Sequence, residues 1–234
     1  MGSGVAITFD DNDVDGWCAV HAILKKFNWK ATFFISDFQS LDDDKIKKLS
    51  ALKEYGHEIG GHGCNHLNAL SYVRSNGIAS YMENEIIPLK KAMADKGFDI
   101  ASFAFPFGAR NKKIDSAMFK EFKALRGTTW VEHHTLVKRV KALVRRLRGR
   151  WFYYKNKPLV FGLGIDGTYG VNTDYIRSCL EYAKRKNRII IFYAHNPVEK
   201  ISGDYQVEYQ RLIEICEYAN ANNMDFMLMS DFKR

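Results

Sequence analysis

The chain has 234 residues, of which 46% are hydrophobic and 26% charged, with a formal net charge of +8 at pH 7. That length and apolar fraction suit a single globular domain, 1–234, with a sizeable core. The longest strongly apolar stretches, such as Ile189 to Ala194, have strand length and fall short of the roughly 18 residues needed to cross a bilayer, so no membrane span is expected and the protein reads as soluble.

Short β-branched or aromatic runs alternate with segments of helical period, the pattern of a β/α chain with a mainly parallel sheet. The spacing predicts a strand over Val5 to Asp10, a helix over Gly16 to Phe27, a strand over Ala31 to Ile35 and a helix over Asp43 to Tyr55 that Gly56 stops. A strand over His57 to Gly60 follows, then a long helix near Ala79 to Lys96 that Pro88 should kink. Next come a strand over Ser102 to Phe105, a helix over Lys112 to Phe122 and a strand over Ala124 to Thr128. Residues 130–157, basic and aromatic, break the alternation and read as an insertion. Beyond them lie a strand over Leu159 to Ile165, a helix over Thr173 to Lys186, a strand over Arg188 to Tyr193, a helix over Tyr209 to Asn222 and a strand over Phe226 to Met229. These elements suggest an α/β fold, a distorted TIM-like (β/α) barrel that is irregular or incompletely closed. An open doubly wound sheet is the alternative, but no Gly-rich phosphate loop follows the first strand.

Most of the excess charge sits in Lys138 to Arg150, where seven of thirteen residues are basic and none acidic. Such a run could bind polyanions; it reads more simply as the solvated face of an insertion helix, and no nucleic-acid-binding signature surrounds it. Cys18, Cys64, Cys179 and Cys216 form no C-x-x-C pair and fit free thiols. The first residues lack the basic, apolar, small-residue pattern of a signal peptide. A native start would place the protein in the cytoplasm, and a processed one in the cell envelope or outside it. The sequence does not specify an oligomeric state.

In a barrel, reactive side chains gather where strands end in their following loops. Here those ends are polar: Asp10-Asp11, then Gly60 to His66, then Pro106-Phe107-Gly108, then Asp166, then His195. His62 and His66 are four apart, and Gly60, Gly61 and Gly63 permit a compact loop that puts both imidazoles on one side. Two histidines and one aspartate, with positions left for water, are the donor set of a catalytic divalent site. Asp10 should share the inward face with Thr8, whereas Asp11 reaches the rim only if the strand ends there. The pair can then divide the work, one carboxylate holding a metal and the other accepting a proton from the water that attacks a carbonyl carbon. Asp13 and Asp15, just before the first helix, read as caps.

Taken together, TFDD, GHEIGGHGCNH, FAFPFG and IIIFYAH, in that order over about residues 4–232 without the insertion, resemble the motif set of the polysaccharide deacetylase (NodB-homology) family of carbohydrate esterases. The resemblance implies a metal-dependent hydrolase acting on carbon–nitrogen bonds other than peptide bonds, which removes N-acetyl or sometimes O-acetyl groups from an acetylated carbohydrate partner. It further implies that Asp10 is the base, that Asp11, His62 and His66 hold the metal (zinc, or else cobalt or nickel), and that His195 protonates the leaving amine. The backbone N–H of Phe107 would then help stabilise the oxyanion.

The sequence departs from that pattern in several places. The family's arginine two residues before the proline of FAFPFG is Ala104, and either Arg126 supplies the guanidinium or the base lacks one. Asn12, Gly63 and Leu67 replace a glycine, a hydroxyl residue and a proline. Asp166 either orients His195 or caps its own loop. His57 reads as structural and Cys64 as a neighbour of the ligands, while His21, His133 and His134 have no comparable placement. Trp17, Trp130, Trp151 and Tyr169 are sugar-stacking surfaces or else core or dimer contacts. Because of Ala104, a carbohydrate-binding protein that keeps the metal site but not turnover is the second functional reading.

Overall fold

In the computed structural model, which describes residues 2–129, 153–154 and 157–232, the apolar strand runs form the wall of a closed barrel. β1 (Gly4–Asp11), β2 (Ala31–Ile35), β3 (Glu58–Gly61), β4 (Ser102–Ala104) and β5 (Ala124–Thr128) pair in sequence order, all parallel. Past the short β6 (Tyr153–Tyr154), β7 (Leu159–Gly164) pairs with β5, and β8 (Ile189–Ala194) pairs with β7 and returns onto β1 from Gly4↔Ile189 to Phe9↔Ala194. The ring therefore closes on seven parallel strands. Seven helices accompany the strands among the described residues: α1 (Val14–Leu24), α2 (Asp43–Glu54), α3 (Ala69–Tyr81), α4 (Ile87–Asp95), α5 (Lys112–Met118), α6 (Thr173–Arg185) and α7 (Tyr209–Ala221). β9 (Asn196–Val198) and β10 (Gln206–Glu208) make a separate ribbon beyond β8.

Strand alternation splits the core in two. Val5, Ile7, Phe9, Phe33 and Ile35 face outward and pack with helix residues such as Trp17, Val20, Leu24 and Leu49, whereas Ala6, Phe34, Ala104, Val160 and Ile191 fill the barrel with Met229 and Phe232 beneath.

Two expectations are corrected. The predicted eighth strand shrinks to β11 (Asp225–Phe226) and stays outside the ring, because β2 meets β1 only from Ile7↔Ala31 onward and leaves the edge at Gly4 and Val5 for β11. The long helix near Ala79 to Lys96 is three pieces, and it begins earlier. Asn68 accepts a hydrogen bond from Ser71 N–H at 3.0 Å and starts α3, which Gly77 interrupts at φ 84°; a π turn over Met82–Ile86 then precedes α4, with Pro88 in its first turn. Within the insertion, Tyr153 and Tyr154 pair antiparallel with β8; Trp130, His133, His134, the basic run Lys138 to Arg150 and Trp151 lie outside the described residues. No helix among the described residues is long and apolar enough to cross a membrane.

Candidate active site

β1 ends in a turn at Asp11, whose backbone takes φ 80°, a left-handed value that non-glycine residues seldom adopt. Asp10 keeps the inward direction set by the pleat, and the turn brings Asp11 to the same rim. There Asp11 Oδ1 lies 3.6 Å from His62 Nε2 and 3.3 Å from His66 Nε2. Ligands about 2.0–2.2 Å from one divalent ion sit roughly 3–3.6 Å apart, so the three atoms have the separation of a coordination set. Asp11 Oδ1 is also buried without a hydrogen-bond partner. Such an atom is costly unless a cation or donor meets it, and the two imidazole nitrogens converge on it. His62 Nδ1 is 2.9 Å from the Ala104 carbonyl, which fixes Nδ1 as the donor and leaves Nε2 as a lone pair. Burial pulls the His62 pKa down to about 4 despite the opposing charges of Asp10 and Asp11, so the ring stays neutral as a ligand must. The residues fit a divalent cation.

Asp10 stands behind this cluster, its Oδ2 4.0 Å from His62 Nε2. Arg126 Nη2 donates to both of its oxygens, at 2.6 and 2.5 Å. Burial pushes the Asp10 pKa up, but Arg126 first and the two nearby histidines after it outweigh that and hold it below the ordinary value. Arg126 is fully buried and lies between the Phe34 and Tyr193 rings, 5.4 and 4.9 Å from their centroids.

On the opposite flank, Asp166 accepts from His195 N–H at 3.1 Å and from His195 Nδ1–H at 2.6 Å. Asp166 sits at the N-cap of the turn Gly167–Tyr169 but makes no cap bond to it; the carboxylate serves the histidine. Burial lowers the His195 pKa, and the Asp166 hydrogen bond and charge, helped by Asp10 and Asp11, override this and push it up to about 9. Tyr169, Tyr193 and Tyr205 surround the imidazole, with Tyr205 closest at 5.1 Å between centroids. Facing His66 at 4.7 Å is Phe107, 62% exposed and left-handed at φ 59°.

All eight residues singled out from the sequence, Asp10, Asp11, His62, His66, Phe107, Arg126, Asp166 and His195, lie at this one end of the barrel. Other readings shift. Trp17 is fully buried, stacks on Phe33 and donates Nε1–H to the His195 carbonyl, so it is core. Asp13 occupies the α1 N-cap position without a side-chain cap bond, and Asp15 instead pairs with Lys48 at 2.6 Å. Two site residues were missed. Tyr205 carries no motif. Glu85 is a fully buried carboxylate behind the His62 to His66 loop, and its signal was present: Tyr81, Glu85 and Leu89 share one helical stripe, and an acid there needs buried donors.

A family model described as "Polysaccharide deacetylase" matches residues 2–123. The peptidoglycan-N-acetylglucosamine deacetylase of Bacillus cereus is 40% identical over 120 residues, 51% of each chain, so this chain spans about half the length of that curated relative. Two solved structures share the fold: a Streptococcus mutans CE4 esterase, 15% identical, TM-score 0.56, covering 97% of this chain and 86% of that one, and the catalytic domain of the Eubacterium rectale peptidoglycan N-acetylglucosamine deacetylase, 16% identical, TM-score 0.52, covering 97% and 89%.

Proposed function

The chain belongs to the polysaccharide deacetylase family, whose model it matches over more than half its length, and from that premise we propose that it is a metal-dependent hydrolase removing N-acetyl groups from amino sugars of a polysaccharide or glycoconjugate. The observation that supports this most is the pairing on either flank of the ligand cluster: Asp10 with Arg126 on one side, His195 with Asp166 on the other. One carboxylate is biased toward the ionised form and one imidazole toward the protonated form, the states a base and an acid need at neutral pH.

In this reading Asp11, His62 and His66 hold a divalent ion, zinc first, with cobalt or nickel as substitutes. Such an ion supplies Lewis-acid polarisation of the acetyl carbonyl and lowers the pKa of water. Asp10 takes the proton of the attacking water on a carboxylate oxygen. His195 delivers its Nε2 proton to the amine nitrogen as the C–N bond breaks, while Asp166 keeps Nδ1–H oriented. The Phe107 N–H donates to the oxygen that gains charge. Arg126 holds Asp10 in place and ionised. The apolar ring of Phe107 and the tyrosines beside His195 suit the faces of a sugar.

The first substrate to assay is a glycan bearing N-acetylglucosamine, the sugar in the relative's name. Protein loaded with zinc, cobalt or nickel should release acetate from it, and Asp10→Asn should lose most of that rate. If none of the loaded forms releases acetate from any of a panel of N- and O-acetylated sugars, the proposal is wrong.

A further inference from the structure

At the last of its three candidate ligands the chain does something sequence spacing does not require: His66 adopts a left-handed backbone, φ 53°. A residue with a β-carbon pays roughly 1–2 kcal/mol for that conformation, so something must hold it there. The peptide N–H groups on either side of His66 converge on one carboxylate. Asn65 N–H donates to Glu85 Oε1 and Oε2 at 3.1 and 3.0 Å, Leu67 N–H donates to Oε1 at 3.0 Å, and the Asn65 side-chain amide donates to Oε2 at 2.9 Å. The Glu85 carbonyl also accepts from Cys64 N–H at 3.3 Å. This is a concave anion-binding loop of alternating backbone hand, filled by an anion of the same chain.

Two further features are built around that carboxylate. Gly63, at φ 93°, has no room for a side chain, because a β-carbon there would collide with Glu85 Oε1. The π turn Met82–Ile86 is the local distortion that carries Glu85, and such single-turn bulges re-aim a side chain relative to an ideal helix. The ligand histidine, its flanking N–H groups, the obligatory glycine and the bulge all meet at one buried group.

We infer that Glu85 is a positioning residue that presets His66 for the cation, so that the ligand loop is organised before any ion arrives. This rests on the metal-dependent reading above and adds to it a residue that touches neither ion nor substrate. Glu85→Gln keeps the shape but turns half of the acceptor into a donor facing N–H groups; Asn65→Ala removes one donor and leaves the backbone pair intact.

The test is cobalt(II) titration of the full chain, followed by its visible absorption, with circular dichroism and thermal melting on the apo proteins and acetate release on the loaded ones. Glu85→Gln should keep the wild-type circular dichroism, bind cobalt about 10- to 100-fold more weakly and show an altered ligand-field band. Asn65→Ala should weaken cobalt binding by a smaller factor with an unchanged melting curve. If Glu85→Gln does not fold, Asn65→Ala alone decides. Cobalt affinity and spectrum within twofold of wild type, in Glu85→Gln or in Asn65→Ala where only that variant folds, overturn the inference, as does a wild type that binds no cobalt. A wild type that binds cobalt yet releases no acetate overturns the deacetylase reading alone, and the cobalt comparison among variants still decides the role of Glu85.

Discussion

Asp10 and Arg126 stand 116 residues apart in the chain and form a buried ion pair, and their neighbour Ala104 explains why. In the β4–β5 register Ala104 lies opposite Arg126. The guanidinium that the family motif would place on β4 thus reaches Asp10 from the adjacent position on β5, and the small side chain at 104 leaves it the space. This removes the reason for reading the chain as a binding protein without turnover. Breaking a buried pair strands a charge, so Arg126→Ala should lower stability by about 3–5 kcal/mol and acetate release by about 100-fold or more. The double variant Ala104→Arg, Arg126→Ala returns a guanidinium from the neighbouring strand and should recover part of both. A double variant no better than the single one, in urea denaturation and in kcat, would show that proximity to Asp10 is not what matters. His195 offers a second residue-scale test. Burial acts against its protonation and Asp166 acts for it, holding the pKa at about 9 rather than the ordinary 6.5. In the proposed mechanism the acid form is the active one, so kcat should fall as pH rises through the His195 pKa, and Asp166→Asn should move this alkaline limb downward by one unit or more. A divalent cation held by Asp11 carries more charge than that carboxylate and lowers the limb of the loaded enzyme in wild type and Asp166→Asn alike, so the difference between the two is the readout. An unmoved limb in Asp166→Asn would assign the titration to another group.

At the scale of elements, β2 and β3 enter the barrel beside a buried pair of histidines. Ala31 N–H donates to His57 Nδ1 at 3.0 Å, which leaves Nε2–H to donate to His21 Nδ1 at 2.8 Å. The reading of His57 as structural agrees with this place in the core. Burial first, then the charges of His21 and Lys30, lowers its pKa to about 3 from 6.5. The unfolded chain therefore takes up a proton before the folded one does. The stability tied to His57 is complete above pH 6.5 and drains away as pH falls from there toward 3, at roughly 1.4 kcal/mol per unit at most. His57→Asn retains an acceptor for Ala31 without a titrating ring, so it should melt lower at pH 7 but show a flatter decline to pH 5; a parallel decline in both proteins would place the acid sensitivity elsewhere. The same scale shows what sequence can and cannot convey. The strand at Ala31–Ile35 and the helix stop at Gly56 follow from a β-branched and aromatic run and a glycine, and they are legible residue by residue. α3 was not, because Asn68, its cap, directly follows the ligand loop, and Gly77 breaks the helical period inside it. The π turn was hidden because one extra residue per turn leaves the composition of Met82–Ile86 unchanged. The strand-end acids and histidines were legible because the barrel gathers them whatever their spacing; for Glu85 the helical stripe signals a buried acid, but not its partners, since those depend on where the His66 loop folds back.

Across the whole molecule the two ends of the barrel are chemically opposite. The rim with Asp10, Asp11 and His195 is polar and carries left-handed backbone at Asp11, His66 and Phe107, while the base is closed by the last turn among the described residues, Met229–Asp231. There Met229 N–H donates to Thr32 Oγ1 at 3.0 Å, Ser230 N–H donates to Glu58 Oε2 at 2.8 Å, and Met229 and Phe232 are buried in the inner core with Ala6, Phe34 and Ile191. Burial raises the Glu58 pKa despite the hydrogen bonds from Ser102, Ser230 and Thr32 that favour its ionised form. Strain at the rim has to be offset by packing elsewhere, and the base is where apolar area is gained without constraining the site. Phe232→Ala should therefore cost about 3–5 kcal/mol, the range for emptying a phenylalanine site in a close-packed core, while leaving the cobalt affinity of the folded fraction within twofold of wild type. Urea denaturation gives the first quantity and cobalt titration the second. A variant that keeps its stability would mean the last turn is not part of the barrel core; one that keeps its fold but loses cobalt would mean that packing at the base sets the geometry of the rim, and the two ends could no longer be treated as separable.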